Sequence, residues 1–491
     1  MERYILALDA GTTSSKSVLF DHKGNVIAVA QKEISQYFPQ PGWVEHDPIE
    51  VWNTQLETMH QVIDKAAIQA QQIVGLGITN QRETTILWNK KTGKPIGNAI
   101  VWQDRRTIDI CDALKKHESL FRDKTGLVLD PYFSGSKIRW LLESDSKIRN
   151  LATSGELLFG TVDTWLLWHL TGRKDHITDV TNASRTLLFN IHTLTWDDDL
   201  LALFDIPQCI LPQVVASSGI ITYTDAALFG ESIPISGIAG DQQAALFGQL
   251  CFEKGDVKNT YGTGCFCVVN TGLQPLKSSS GMLTTIGYQI DDKVHYAIEG
   301  SVFTTGALIQ WLRDGLGILE HVDQIEALAN TVCDNGGITF VPALSGLGAP
   351  YWNPHIKGAL LGISRGTRKG HIARATLEAI ALRTYDIVSE IEKELQTQIT
   401  SLKVDGGASK NNLLMQIQSD LIQTNVIRPK TTETTAMGVA FLSGLGVGFW
   451  KSKEELFEIW EIDQTFYPNK TSEPHDIIQQ WKSNISRFLS A

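Results

Sequence analysis

Near its start the chain carries an apolar run, Tyr4–Leu8, that gives way at Asp9 to the polar string Ala10-Gly11-Thr12-Thr13-Ser14-Ser15-Lys16 and resumes at Val18–Phe20. Asp21-His22-Lys23-Gly24-Asn25 then turns into Val26–Ala30. Apolar runs of about four to eight residues closed by turn formers predict buried strands, so the Gly-Thr-Thr segment is expected at a hairpin tip and not at a strand-to-helix turn. The same block pattern returns much later. Asp256–Tyr261 runs as a strand into Gly262-Thr263-Gly264, and Cys265–Asn270 leads out. A third Gly-rich turn, Val404-Asp405-Gly406-Gly407-Ala408, opens onto Asn411–Gln423, where Leu413, Leu414, Ile417, Leu421 and Ile422 recur at helical spacing.

Between these landmarks, Ile73–Ile78 and Thr84–Trp88 read as strands around an Asn80–Glu83 loop, with Asn89–Lys94 as the turn that follows. In the later half, 282–290 and 294–298 read as strands joined by Asp291-Asp292-Lys293, and Phe303, Ala307, Leu308, Trp311 and Leu312 mark an amphipathic helix. The repeated pattern divides the chain into residues 1–248 and 249–491. No Pro-, Gly- or Ser-rich linker separates them, so the boundary is expected to be a packed hinge.

The hairpin tips carry candidate chemistry. Gly11 is expected to take the positive φ of the bend and to let the backbone approach an anion, while Thr12, Thr13 and Ser14 offer hydroxyl and amide donors. Asp9 at the strand end is suited to a hydrated Mg²⁺. An ordinary Gly-Thr hairpin is the plain alternative for one copy. Two copies in two halves, followed by a Gly-Gly turn, outline an ATPase of duplicated domains facing a cleft. No G-x-x-x-x-G-K-[ST] string occurs, which argues against a P-loop site.

Composition narrows the partners. The net charge is −11 and no block of like charges stands out, against a nucleic-acid or anionic-membrane surface. The chain shows no apolar run of membrane-spanning length and no signal-peptide pattern after Glu2-Arg3, so no stable membrane insertion and a cytoplasmic location are expected. The 6 cysteines form no C-x-x-C pair and the 12 histidines no H-E-x-x-H, so zinc and disulfide frameworks are not expected. Cys265 and Cys267 share a strand face and are read as core residues; His46, between Glu45 and Asp47, is read as part of a structural loop.

Leu8–Lys16, Pro41–Pro48, Gly77–Thr85, Asp130–Gly135, Gly237–Gln249 and Tyr261–Phe266, taken together, resemble the FGGY carbohydrate kinase family, and the likeness runs to about Trp450. It implies an α/β fold of two actin-like, ribonuclease H-like ATPase domains flanking a catalytic cleft. The member activity it most suggests is ATP-dependent phosphorylation of glycerol to sn-glycerol 3-phosphate in glycerol catabolism, with ATP and Mg²⁺ required and a homo-oligomer, dimer or tetramer, expected. Other family members acting on a pentulose, gluconate or erythritol are the nearest alternative, and an actin-like ATPase serving as a filament or chaperone is a more distant one.

A small polyol needs bidentate polar groups along its hydroxyl edge and an apolar wall behind it. Arg82 and Glu83 supply a donor fork and a two-oxygen acceptor, provided an irregular loop turns neighbouring side chains the same way; a surface ion pair is the plain alternative. By the resemblance Tyr132, Asp241 and Gln242 complete the hydroxyl contacts, and Trp102 and Phe266 form the wall. Asp241 follows the apolar stretch Ile235–Ala239 and starts a helix, so it reads as a cap; the resemblance makes it the catalytic base as well, and with Asp9 a metal ligand. Thr12, Thr13, Ser14, Lys16 and Thr263 would hold the nucleotide phosphates, and Gly306, Gln310, Gly407 and Asn411 the remainder of the nucleotide. Lys16 stands where the family usually has Arg, and Ala10 where Gln is common. Segment 224–234, where some members are regulated, contains no His, Arg or Lys.

Overall fold

The computed structural model describes residues 2–344, 346–353, 355–469 and 474–490. Its backbone is one continuous 13-stranded sheet among the described residues, flanked by helices. In chain order the strands are β1 (Tyr4–Ala10), β2 (Ser14–Phe20), β3 (Val26–Glu33), β4 (Ile73–Asn80), β5 (Ser218–Tyr223), β6 (Pro234–Gly240), β7 (Val257–Tyr261), β8 (Cys265–Gly272), β9 (Leu283–Ile290), β10 (Lys293–Val302), β11 (Ser401–Asp405), β12 (Asn425–Pro429) and β13 (Ile462–Phe466). Across the sheet they run β13-β12-β11-β7-β8-β10-β9-β5-β6-β4-β1-β2-β3. Two segments repeat one design. β1, β2 and β3 form an antiparallel meander continued by parallel β4 and β6. β7, β8 and β10 form another, continued by parallel β11 and β12. The halves join where Ser218 of β5 pairs with Ile290 of β9.

Central parallel strands are covered on both faces and so read as unbroken apolar runs. β1, β4 and β6 show this, being buried at nearly every residue. They also end in register, Ala10 beside Asn80 and Asn80 beside Gly240. The Gly11–Thr13 tip, the loop after β4 and the residue after β6 therefore emerge side by side, at the strand ends where ligands bind in α/β sheets. Both tips are hairpins, closed by Gly11 N–H to Ser14 O and Gly262 N–H to Gly264 O, each 2.9 Å. Gly11 is not among the residues with positive φ, contrary to expectation. Its small size matters instead, since an added Cβ would stand 3.3 Å from Ser14 O.

Helix α1 (Pro48–Ala66) is capped by Asp47 and lies along β2. The Ser15 and Ser17 hydroxyls each hydrogen bond a hydroxyl of this helix, Thr54 and Thr58, at 2.9 Å, and Gln55 donates to the Lys16 carbonyl. This buried polar ladder stiffens the strand behind the first tip. Further helices are α2 (Asp241–Gly248), α3 (Gly306–Asp314), α4 (Asn412–Ile422) and α5 (Thr434–Gly446). Phe303 precedes α3 and does not belong to it, and Asn411 is the cap of α4, accepting from Leu414 N–H at 2.8 Å. Beyond Trp450 the chain adds the edge strand β13. Among the described residues no helix is long and apolar enough to cross a membrane.

Helix α5 comes late in the chain yet packs on β6, β4 and β1 of the first half, and crosses α2. The approach is backbone to backbone. A Cβ on Gly438 would collide with the Ala244 carbonyl oxygen, one on Gly248 with that of Thr434, and one on Gly77 would lie 2.5 Å from Val439 O. Gly438→Ala must therefore displace the main chain, and we expect a loss of about 3 kcal/mol, at the upper end of overpacking costs. An unchanged urea midpoint for Gly438→Ala would contradict this crossing.

Candidate active site

The loop after β4 leaves the sheet at Gln81 because its side chains have partners elsewhere. Glu83 adopts φ 62°, a left-handed conformation uncommon outside Gly, and this turns Arg82 and Glu83 to the same side, Nε to Oε1 3.9 Å. The irregular loop needed for joint action is thus present. The guanidinium fork is already committed, however. Arg82 Nη1 donates to Glu299 Oε2 at 2.5 Å and Nη2 to Glu299 Oε1 at 3.1 Å. Further donors face Gln243 Oε1 at 3.2 Å and the Tyr132 hydroxyl at 3.4 Å, and Nε lies 3.2 Å from Asp241 Oδ1.

Arg185 completes the cluster, donating from Nε to Glu83 Oε1 at 2.7 Å and from Nη2 to Glu299 Oε1 at 2.9 Å. Arg82, Glu83, Arg185 and Glu299 are all buried. Two cations and two carboxylates neutralise one another, the condition under which buried charge is tolerated. Burial opposes ionisation of Glu299, but Arg185 and Arg82 outweigh it and hold the carboxyl down to about 2. At Glu83 burial prevails over both arginines and raises the value. Neither Arg185 nor Glu299 was signalled by any local motif.

Asp241 is the first residue of α2 and not its cap. Gly240 is the N-cap, and the Asp241 carboxylate accepts the neighbouring Gln242 N–H at 2.7 Å and pairs with Arg82, reaching no N–H further into the helix among the described residues. The capping expectation is thus corrected: an N1 side chain points away from the N–H groups that an N-cap side chain reaches. Burial raises its acidity value above the ordinary carboxylate, with Arg82 and then Lys258 opposing. Asp9, at the end of β1, is pushed up to about 7 by burial against the pull of Lys16, and the charges of Asp241 and Glu433 add to the rise. Lys16, its cross-strand neighbour, places Nζ 2.6 Å from Glu433 Oε2 of the second half.

Trp102 links the two expected sites. Its ring centroid lies 5.6 Å from Tyr132 and 6.2 Å from Phe266, and its Nε1–H donates to Thr12 Oγ1 at 3.0 Å. Arg82 lies over the Phe266 ring at 5.8 Å. Arg82, Trp102, Tyr132, Asp241, Gln242 and Phe266 thus form one contact set beside the first hairpin. Thr263, Gly306, Gln310, Gly407 and Asn411 line a second space, a cavity of about 450 Å³. Thr12, Thr13, Ser14 and Lys16 lie outside that cavity lining. A larger cleft of about 720 Å³, lined by His22, Lys430, Glu455 and neighbours, contains none of the expected site residues.

Cys265 and Cys267 are core residues of the second half. His46 sits on a short strand and not in a loop; it is buried, held neutral by burial, and its Nδ1 lies 3.2 Å from Gln81 Nε2, which also reaches Gly11 O. It braces the hairpin from behind.

The N-terminal domain of the FGGY family of carbohydrate kinases matches residues 4–248, and the C-terminal domain of that family matches residues 257–446. The chain is similar to a protein of Thermotoga maritima named glycerol kinase 2, at 54% identity over 490 residues covering 99% of each chain. It is 55% identical over 488 residues to a glycerol kinase of Dichelobacter nodosus, covering 99% of this chain and 98% of the other. A solved glycerol kinase of Plasmodium falciparum with ADP superposes with a TM-score of 0.91 at 33% identity, covering 99% of this chain and 98% of that one.

Glu299→Gln would leave Arg82 and Arg185 short of one buried countercharge, and we expect a destabilisation of about 3–5 kcal/mol at neutral pH. Because the folded value of Glu299 lies below its unfolded value, its stabilisation is present above the ordinary glutamate range and is lost as pH falls from about 4.5 toward about 2. Denaturant unfolding across that window should show the gap between wild type and variant closing; a gap independent of pH would refute the assignment.

Proposed function

The chain belongs to the FGGY family of carbohydrate kinases, and on that premise we propose that it transfers the γ-phosphoryl group of ATP to a terminal hydroxyl of glycerol, forming sn-glycerol 3-phosphate and ADP. Its architecture is the two-domain actin-like, ribonuclease H-like α/β fold. The geometric observation that carries the reading is the hydrogen bond from Trp102 to Thr12, which sets the wall of a small polar-edged pocket directly against a phosphate-type hairpin. Full-length similarity to two glycerol kinases favours glycerol over a pentulose, gluconate or erythritol.

In this reading residues 1–248 supply the polyol pocket and the first phosphate loop, and 249–491 the nucleotide cavity. Asp241 accepts the proton of the attacking hydroxyl as its oxygen bonds to phosphorus and the bond to the ADP oxygen breaks. Its burial, which raises its proton affinity, suits that task. Arg82, held by Glu299, orients Tyr132 and Asp241, and Trp102 and Phe266 back the carbon chain. Thr12, Thr13, Ser14, Lys16 and Thr263 would meet the phosphates, with Glu433 giving up Lys16 as they bind. The adenosine end fits the cavity lined by Gly306, Gln310, Gly407 and Asn411.

The donor chemistry fits Mg²⁺, because Asp9 and Asp241 are two hard oxygen ligands close enough for the charge of one to raise the proton affinity of the other. Bound there with nucleotide, the ion would neutralise phosphate charge. Closure of the halves would keep water from the phosphoryl group. A cytoplasmic homo-oligomer completes the proposal, consistent with dependence on cellular ATP.

Two measurements test it. Initial rates over glycerol, xylulose and gluconate should give a kcat/KM for glycerol far above the others, and comparable values would refute the substrate assignment. Asp241→Asn should lower kcat by about 10²–10⁴ if it is the base; near wild-type turnover would remove it from that role.

A further inference from the structure

Lys258 lies on β7, five positions before Thr263, and its side chain is fully buried. Among the described residues no carboxylate is ion-paired with its ammonium, although Asp405, Asp241 and Glu299 lie close enough to counter part of the effect of burial. An unpaired buried ammonium is costly, so the contacts it does make are informative. Nζ donates to Gln242 Oε1 at 2.5 Å and to Thr260 Oγ1 at 2.8 Å. The first bond crosses from the second half to α2 of the first half, onto the residue beside Asp241.

An ammonium has donors and no acceptor. The end of the Gln242 amide that meets Lys258 must therefore be the carbonyl oxygen, and the N–H₂ end must point the other way. Among the described residues no protein acceptor takes those protons. Resting on the polyol reading above, we infer that Lys258 is a positioning residue for the polyol: by holding the Gln242 carbonyl it presents the amide N–H₂ to the pocket as a hydrogen-bond donor. The pocket then offers complementary chemistry at adjacent residues, a carboxylate acceptor at Asp241 and a fixed amide donor at Gln242. The arrangement also ties polyol binding to the strand that carries the second phosphate loop.

A tether that merely fastened α2 to the sheet would predict other behaviour, and three variants separate the two roles. Lys258→Met removes the donor and the charge at similar length. Gln242→Leu removes the amide. Gln242→Glu keeps, and strengthens, the contact to Lys258 but has no N–H₂ to offer. Wild type is assayed first; absence of glycerol phosphorylation there would refute the proposed function itself and not this inference. With an active wild type, Lys258→Met and Gln242→Leu should each raise KM for glycerol by about tenfold, the scale of one hydrogen bond. The double variant should be no worse than the worse single, and KM for ATP should stay within about twofold. Gln242→Glu should raise the glycerol KM similarly while its melting temperature does not fall. An unchanged glycerol KM in Gln242→Glu, or effects of Lys258→Met and Gln242→Leu that multiply, would overturn the inference. If Lys258→Met does not fold, Gln242→Glu alone decides.

Discussion

The buried exchange of charge among Arg82, Glu299, Arg185 and Glu83 is the constraint around which the site is arranged. Desolvating any one of these groups alone would cost several kcal/mol, so each requires the others in place. Glu299 comes from β10 of the second half and the remaining three from the first, which makes the cluster an electrostatic joint between them. In its left-handed conformation Glu83 directs its carboxylate to Arg185 while Arg82 reaches Glu299.

From that joint the chemistry is ordered by the sheet. Because β1, β4 and β6 end in register, the Gly11–Thr13 tip, the Arg82 loop and Asp241 are neighbours without any long loop having to bring them together. The close glycine contacts of α5 with α2 and with β4 fix how near the late part of the chain comes to the early part. Glu433, immediately before α5, and Lys258, on β7, then reach across to Lys16 and Gln242. The cavity lined by Thr263, Gly306, Gln310, Gly407 and Asn411 is built from second-half residues, while the first hairpin meets the second half through the Lys16–Glu433 ion pair.

Lys at position 16, where the family resemblance implies Arg, acquires a structural counterpart here. A single ammonium is matched to a single carboxylate oxygen of Glu433 at 2.6 Å, a point-charge pairing that does not use a guanidinium fork. Nothing in the structure explains Ala10, where the resemblance implies Gln, beyond its full burial in the strand.

Local pattern was enough to identify both hairpins and the Gly-Gly turn before Asn411, because each depends on neighbours within a few positions: strand runs, turn formers, helical spacing; the polyol residues proposed beyond the Arg82–Glu83 pair came from the family resemblance instead. The duplication and the family resemblance were legible for the same reason. What the chain by itself did not reveal were the partners. Arg185 and Glu299 lie 102 and 217 positions from the residues they neutralise, Glu433 lies 417 from Lys16, and Lys258 sits in what reads as an ordinary strand. A buried charge is indistinguishable in sequence from an exposed one, and the choice between a free donor fork at Arg82 and one locked to Glu299 is made only when the two halves close on each other and exclude water. The same holds for Asp241, whose place one residue inside the helix, and so its release from capping, is decided by how β6 delivers the chain onto α2.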